Sequence, residues 1–326
     1  MGNVPIEQQH INSLVEETEM STPTHVNTFV THHEPHLDEI AGIWAIRKFG
    51  TAMFPGADTA KIVPTKSGGE EFNGATAEEL EKEGFLLIGV GRGRFDEHPN
   101  KKSKGAEGKC CFDLVLEAIE LQDNPSFSQI ATFVRNTDLK GISQQFDLSY
   151  LVKDMHTRHP DDLQRVIDWT MEALDAKYDQ QVRFLKTQEN LQKVMEKHEI
   201  FRRGRGLILM VGKTDDKDFN KACRSKGAAI VIQQWKSGNT MIFTQKSKRV
   251  KIHQIVGKIR AEERRLSGQP EDQDEDLFAE GNLYGWYYHK EGQMLLNGSN
   301  THPDTPATLL KLFETVGITK DNVEIS

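Results

Sequence analysis

The sequence lacks the features that mark membrane, secreted and disulfide-stabilised proteins. No segment approaches the ~18 consecutive apolar residues of a membrane span. The amino terminus has neither the basic nor the apolar segment of a signal peptide. Only three cysteines occur in 326 residues, and two of them, Cys110 and Cys111, are neighbours, so no disulfide framework is expected. These absences favour a cytoplasmic protein with no membrane partner.

Charge is unevenly distributed along an otherwise ordinary globular composition. Apolar residues make up 37% and charged residues 28% of the chain, which excludes fibrous and wholly disordered proteins. The net charge is -8, yet residues 202–265 hold 17 Lys or Arg against 5 Asp or Glu. Such an asymmetry indicates either a polyanion-binding module or a solvated basic surface that the acidic run Pro270–Asp276 balances.

The chain length and the order of segments favour two domains. Between residues 25 and 157, short apolar runs alternate with helical segments, which predicts an α/β domain with an open, mostly parallel sheet flanked by helices. Residues 1–24 are predicted to form a flexible arm. Residues 158–201 have helical spacing and predict a connector of one long helix or two packed helices. Residues 202–326 predict a smaller, basic α+β domain.

Histidines and carboxylates are concentrated at Thr31–Glu39, which reads T-H-H-E-P-H-L-D-E. This segment lies between a predicted strand and a predicted helix, where open parallel sheets bind ligands. Imidazoles and carboxylates are ligands for Mn, Fe, Zn or Co. In the alternative interpretation Asp38 only caps the helix and the histidines are solvated. The density of the cluster favours a metal site.

Two further segments carry ionisable groups. The glycine-rich stretch Ile88–Pro99 follows a predicted strand and ends in Phe95-Asp96-Glu97-His98-Pro99. Its spacing is not that of a P-loop or a dinucleotide motif, so a phosphate-binding loop and a charged turn both stay open. Asp138 lies at a helix-to-loop boundary and is by itself typical of a surface acid.

Taken in this order, the segments resemble the DHH phosphoesterase superfamily, which includes RecJ-like exonucleases, short-oligonucleotide phosphodiesterases and manganese-dependent pyrophosphatases. Its first motif is H-x-x-P-D-x-D, and this sequence keeps His32, Pro35 and Asp38 but has His36 in place of the first aspartate. The threonine–histidine opening and the H-x-D-E ending are most similar to the Myg-type metal-dependent nuclease branch. Asp96-Glu97-His98 is similar to the signature that names the superfamily, with Glu97 in place of its first histidine.

The resemblance implies a metal site and two supporting residues. The implied ligands are His32, His36, Asp38, Glu97 and Asp138. It also implies that His98 contacts the phosphate or protonates the leaving oxygen, and that Asp96 orients a ligand histidine. The implied cofactor is one or two Mn²⁺ ions, with Mg²⁺, Co²⁺ and Zn²⁺ as alternatives. Gly89 stands where the family has a bridging aspartate, so a second ion would depend on Glu97 or Glu39, and a single-ion site is credible.

A substrate-binding surface is expected in the C-terminal domain. The family has a glycine-rich segment there, which Leu295–Pro303 resembles. The residues expected to hold a terminal phosphate or to follow the backbone are Asn297, Gly298, Ser299, Asn300, His302, Arg202, Arg203, Arg205, Lys248 and Arg249. The aromatic residues Trp235, Phe243 and Trp286 are candidates for stacking on bases.

These expectations lead to one function and two alternatives. The leading one is a metal-dependent phosphodiesterase or exonuclease that hydrolyses single-stranded or short oligonucleotides, with RNA favoured. A polymer is favoured over pyrophosphate because a small anion does not need so basic a domain. One alternative is a non-catalytic nucleotide- or RNA-binding protein on a degenerate phosphoesterase scaffold, which the glycine at position 89 favours. The other is a small-molecule phosphatase. The oligonucleotide is the expected partner, and a homodimer is left open.

Overall fold

A computed structural model describes most of the chain, which divides into two compact units, Met1–Gln181 and Val182–Ser326. The residues described are 25–65, 74–98, 108–195, 200–203, 207–248, 250, 252–272, 274–298 and 305–322. The arm predicted at residues 1–24 lies outside them. The domain limits that the sequence predicts stay predictions.

The first unit contains a three-stranded parallel sheet. Its strands are β1 (Thr28–His32), β2 (Lys61–Thr65) and β3 (Phe85–Leu87), in the order β2-β1-β3. In this register Thr28 lies opposite Lys61 on one side and Phe85 on the other. With β1 at the centre, the chain that leaves its carboxyl end emerges between the ends of its two neighbours.

Helices cover both faces of this sheet. They are α1 (Leu37–Phe49), α2 (Ala77–Lys82), α3 (Cys111–Ala118), α4 (Ser128–Lys140), α5 (Leu148–Arg158) and the first part of α6 (Leu163–Met195). Successive strand residues point to opposite faces, so Phe29 joins the main core with α1 while Val30 joins a smaller cluster with Leu80 of α2. The predicted α/β class is therefore confirmed.

Trp44 anchors α1 in the main core. The tryptophan ring is 2% exposed and its Nε1 donates to Asp175 Oδ1 of α6 at 2.8 Å. Four aromatic rings surround it with centroids 5.6–6.5 Å away, those of Phe49, Phe112, Phe127 and Tyr178. Because α1 is fixed along its length, the polar residues of its first turn have a fixed position at the edge of the sheet.

The helical connector that the sequence predicts corresponds to α6. It is one continuous helix of 33 residues, which answers the question of one helix or two. The boundary between the units falls inside it, after Gln181. Beyond that point Phe184 and Leu191 pack in a hydrophobic cluster of the second unit.

The second unit is built on a seven-stranded mixed sheet. Its strands are β4 (Ile200–Arg203), β5 (Leu207–Lys213), β6 (Ile230–Gln234), β7 (Thr240–Thr244), β8 (Gly281–Leu283), β9 (Trp286–His289) and β10 (Met294–Asn297). Their order is β4-β5-β6-β7-β10-β9-β8. The pair β5 and β6 is parallel, and the other neighbours are antiparallel. The helices are α7 (Phe219–Ser225), α8 (His253–Leu266) and α9 (Leu312–Asn322).

The basic helix α8 uses its arginines inside the fold. Arg260 is fully buried, and its guanidinium donates to the carbonyls of Leu277, Ala279, Gly281 and Trp286. Burial lowers the pKa of Arg260 to about 10. Arg264 is also buried and pairs with Glu271 and Glu275 of the acidic run. Part of the basic charge predicted to face a polyanion is therefore consumed within the unit.

No helix among the described residues is long and apolar enough to cross a membrane.

We expect Arg260→Met to destabilise the second unit strongly, by about 3–5 kcal/mol, because four carbonyls lose their donor in a buried site. Hydrogen exchange of residues 281–298 in urea measures the change. Arg265→Met is the matched control, since this arginine of the same helix is exposed and pairs with Glu262, and protection should stay close to that of the wild type. Equal effects of the two substitutions would contradict a structural role of Arg260.

Candidate metal centre

The candidate site lies at the carboxyl edge of the three-stranded sheet. His32 is the last residue of β1, His36 directly precedes α1, and Asp38 and Glu39 lie in the first turn of α1. The loop after β3 carries Asp96-Glu97-His98 to the same edge, because the carboxyl ends of parallel strands lie together. The fold thus brings both sequence motifs to one place.

Three carboxylates from distant parts of the chain meet here. Oxygens of Asp38, Glu97 and Asp138 lie within 4.8 Å of one another. Asp38 is buried on α1, Glu97 is half-buried in the loop after β3, and Asp138 reaches in from the exposed face of α4. Asp96, Glu97 and His98 form a second group with the same spacing, and Glu97 is common to both. Groups of this kind offer the oxygen and nitrogen donors that a divalent cation needs.

Asp38 also caps helix α3. Its Oδ2 accepts the backbone N–H of Cys111 at 2.9 Å, and its Oδ1 accepts that of Phe112 at 3.0 Å. Burial raises the pKa of Asp38 well above the ordinary value, and the negative charges of Glu39 and Asp138 raise it further. The two N–H groups of the cap therefore favour the ionised form of Asp38, whereas its burial and the neighbouring carboxylates favour the protonated form.

Glu39 and His32 form a short hydrogen-bonded pair. His32 Nδ1 lies 2.7 Å from Glu39 Oε1, and Glu39 is 4% exposed. The hydrogen bond to Glu39 raises the pKa of His32. Burial opposes ionisation of Glu39, but the bond from His32 and the field of His36 outweigh it and hold the pKa of Glu39 below its usual value. The second oxygen of Glu39, Oε2, has no hydrogen-bond partner among the described residues.

Asp96 organises the loop that carries Glu97. Its carboxylate accepts the backbone N–H groups of Arg92 at 2.7 Å and His98 at 3.1 Å, and it accepts His98 Nδ1 at 2.9 Å. Arg92 has a φ of 57°, an uncommon conformation for a residue with a side chain. Although partial burial opposes protonation, Asp96 and Glu97 raise the pKa of His98. The imidazole of His98 is 64% exposed, so its Nε2 side is accessible.

The neighbouring cysteines do not belong to either group of close donors. Cys110 and Cys111 are both fully buried. Burial raises the pKa of both thiols, and the charge of Asp38 raises it further. Among the described residues, the two groups of close donors offer only oxygen and nitrogen.

Two contacts of the site have no signal in the sequence. His156 of α5 is buried, and its Nε2 lies 3.0 Å from the carbonyl of Pro35, so it supports the loop between β1 and α1. The second contact joins Asp38 to α3, across 73 residues. Long-range pairs of this kind do not produce a local pattern.

His36 keeps its predicted position near the site without joining either group of close donors. It is exposed at the start of α1, with its ring centroid 6.4 Å from that of His32. Its role as a ligand stays a prediction.

Two of the residues expected to contact substrate in the C-terminal part, Asn297 and Trp286, are buried. Asn297 is 1% exposed, and its amide donates to the Gly285 carbonyl at 2.7 Å. Trp286 is fully buried and donates its Nε1–H to Glu263, so its ring cannot stack on a base. Phe243 lies under the Arg224 guanidinium. Five of the residues predicted to bind substrate lie outside the described residues: Arg205, Arg249, Ser299, Asn300 and His302.

The other predicted substrate residues are located only by their backbone or exposure. Arg202 and Arg203 lie in β4. Lys248 is exposed at the end of a 3₁₀ turn, and Gly298 follows β10 with a φ of 55°.

Most of the first unit is similar to a known protein family. Residues 29–181 match the family model of the ChrB C-terminal domain. The match covers just under half of the chain, ends at the last residue of the first unit and includes every residue of the candidate site. No curated protein and no solved structure shows a significant similarity to the chain.

The match to the ChrB C-terminal domain overturns the resemblance to the DHH phosphoesterases. The interpretation as an oligonucleotide phosphodiesterase was wrong, and so were the two alternatives built on the same scaffold. The motifs that carried the resemblance are short, and each of the three departs from the family pattern, at His36, Gly89 and Glu97. A histidine–carboxylate cluster at the carboxyl edge of a parallel sheet reflects the preferences of metal ions and of this sheet type, so it does not by itself identify a family.

We expect Glu97→Gln to stabilise the metal-free protein at neutral pH. Burial and the nearby charges of Asp138 and Glu39 raise the pKa of Glu97, so ionised Glu97 opposes folding above its raised pKa, and glutamine removes that charge. The gain should appear as a higher Tm for the variant than for the wild type.

The gain should disappear below about pH 4, the ordinary pKa of a glutamate, where the wild-type carboxyl is protonated in the folded and the unfolded chain. Differential scanning calorimetry in a chelator at pH 4 and pH 7.5 measures both effects. A lower Tm for the variant at pH 7.5 would contradict the electrostatic account of the site.

Proposed function

We propose that the first unit is a domain that binds a divalent metal ion through Asp38, Glu97 and Asp138, with His98 and His32 as flanking imidazole donors. The observation that carries this proposal is the meeting of the three carboxylates within 4.8 Å. Among the described residues, no lysine or arginine pairs with any of the three. Carboxylates this close repel one another unless a proton or a cation lies between them.

Two unpaired oxygens support the proposal. Glu39 Oε2 and Glu97 Oε2 are both buried and lack a hydrogen-bond partner within the described part of the chain. An unpaired buried carboxylate oxygen costs free energy. A bound cation, with the water it retains, would supply the missing partners.

The donor set favours Mn²⁺ over softer ions. Carboxylates dominate, imidazoles are secondary, and the two nearby thiols are protonated and buried. Oxygen-rich sites with some nitrogen suit Mn²⁺, whereas thiolates select soft ions such as Cu⁺. Mg²⁺, Co²⁺ and Zn²⁺ remain alternatives for the same donors.

A bound ion would supply Lewis-acid chemistry at this edge of the sheet. The residues of the chain would do two further things. Asp96 holds His98 by its Nδ1, which leaves the accessible Nε2 to accept or release a proton. The backbone bonds to Asp96 hold the loop that presents Glu97. Metal-dependent catalysis is therefore part of the proposal, and its substrate is not assigned.

The similarity to a family related to chromate resistance suggests chromate as an anion whose binding to the site can be tested. Chromate is a dianion, and a cluster that contains Asp38, Glu97 and Asp138 repels it in the absence of a cation. If chromate contacts this site, it does so through the bound metal ion. Titration with chromate should therefore give no heat without added metal.

We expect the wild-type protein to bind Mn²⁺ and Asp138→Asn to bind it at least ~10–100-fold more weakly, since loss of a ligand should cost no less than loss of a supporting residue. Isothermal titration calorimetry measures the affinity. Asp138 is exposed, so the variant should keep its fold.

The matched control is Asp123→Asn, which removes the same charge from another exposed position of the first unit and should bind Mn²⁺ as the wild type does. Absence of Mn²⁺ binding by the wild-type protein, or equal affinity of the wild type and Asp138→Asn, would sink the metal-site proposal.

A further inference from the structure

We propose that Glu39 is a positioning residue of the metal centre, which fixes His32 with its proton on Nδ1 so that Nε2 is free to bind the ion, and that Gly89 is required because it leaves room for Glu39. The inference rests on the proposed metal-binding function. Glu39 is a buried carboxylate that belongs to neither group of close donors. Gly89 stands where the phosphoesterases have a bridging aspartate.

The hydrogen bond sets the proton on His32. Glu39 Oε1 lies 2.7 Å from His32 Nδ1, and an ionised carboxylate can only accept. Nδ1 of a neutral His32 therefore carries the proton, and the lone pair is on Nε2, the nitrogen available to a metal ion. In water a free imidazole is not held in one tautomer, so Glu39 determines which nitrogen is presented. Metal-binding histidines are commonly oriented in this way by a carboxylate.

His32 faces the loop that carries the other donors. Its side chain is about one-third exposed, and the negative charges of Asp96 and Glu97 act on it. His98, on that loop, is in turn affected by the charge of His32. The ring is therefore within electrostatic reach of the proposed centre.

A second histidine of the site has the same arrangement. His98 Nδ1 lies 2.9 Å from Asp96 Oδ1, so both imidazoles are held by a carboxylate at Nδ1. The Asp96 carboxylate also accepts two backbone N–H groups, so it stabilises the loop as well as orienting His98. Within the described part of the chain Glu39 Oε2 has no hydrogen-bond partner, and His32 is the side-chain partner of the other oxygen.

Gly89 makes the position of Glu39 sterically possible. It has a φ of 67° and lies directly after Ile88, and a Cβ at this position would lie 2.5 Å from Glu39 Cγ. Its N–H donates to the Phe95 carbonyl at 2.9 Å, which closes the loop that leads to Asp96. A side chain here would push Glu39 away from His32 or force the two loops apart. The glycine and the carboxylate are thus one packing unit.

The first part of the test reads the tautomer of His32 in the metal-free protein. Long-range ¹⁵N–¹H spectra at pH 9 should show His32 protonated on Nδ1 in the wild type, with the signal assigned by its loss in His32→Gln. In Gly89→Ala, Nε2-protonated His32 should appear. An Nε2-protonated His32 in the wild type would overturn the inference whatever the metal affinity.

The second part measures Mn²⁺ affinity by calorimetry. We expect Gly89→Ala and Glu39→Gln to weaken binding ~10–100-fold. Gly74→Ala is the control for the glycine, since it has a φ of 82° and no atom within 4 Å of the added Cβ. Glu34→Gln is the control for charge, since Glu34 is exposed in the same loop. Both controls should bind Mn²⁺ as the wild type does.

The outcomes separate this inference from the proposed function. If the wild type binds no Mn²⁺, the proposed function fails, while the tautomer of His32 still tests its contact with Glu39. If the wild type binds Mn²⁺ and Gly89→Ala changes neither the tautomer nor the affinity, the positioning role is overturned and the metal site stands. Glutamine can still accept from Nδ1, so Glu39→Leu, which removes the acceptor, is the variant that tests the contact. If Glu39→Leu leaves His32 protonated on Nδ1, Glu39 does not set the tautomer and the inference is wrong. Should Gly89→Ala fail to fold, Glu39→Leu still decides the question.

Discussion

The two hydrogen bonds that Asp38 accepts from the first turn of α3 stabilise the first unit at the edge of the sheet where the candidate site lies. They join α1, which follows the central strand, to a helix that begins 73 residues later. The same carboxylate lies among Glu97, Asp138 and Glu39. The positive end of the α3 dipole and two N–H groups stabilise its charge, while its burial and its acidic neighbours oppose that charge. The fold therefore concentrates negative charge at a point where helix geometry can tolerate it, and the other features of the site follow from this balance.

Glu39 and Asp96 extend the same principle to the histidines. Each is a carboxylate of low exposure that holds an imidazole at Nδ1. One pair joins β1 to α1, and the other lies within the loop after β3. In each pair, the acid and the imidazole partly neutralise each other in the absence of an ion.

The sequence predicts the scaffold and the local cluster better than it predicts the family. The alternation of strands with helices and the density of His32, His36 and Asp38 follow from local pattern, and the α/β class is confirmed. The sequence does not reveal that Asp38 caps α3, that His156 supports Pro35 or that Gly89 lies against Glu39, because each of these contacts joins segments far apart in the chain. The phosphoesterase interpretation was wrong because short metal-ligand motifs arise wherever acids and histidines follow the strands of a parallel sheet.

The number of basic residues in the sequence did not predict how many of them are used inside the second unit. Net charge is a property of a stretch of sequence, whereas binding depends on where each charge points. Arg260 is satisfied by four carbonyls and Arg264 by two glutamates of the acidic run. The basic helix α8 and the acidic run that follows it in the sequence are thus partners within the second unit.

The backbone conformation of Arg92 has a consequence for the selectivity of the proposed site among cations. Asp96 holds this residue at a φ of 57° and also fixes the start of the next turn, so the loop that presents Glu97 is shaped before any ion arrives. A preorganised loop loses little conformational entropy on binding, but it also yields little to an ion of the wrong radius. The centre should therefore discriminate between cations by size through the stiffness of a turn, in addition to the chemistry of its donors.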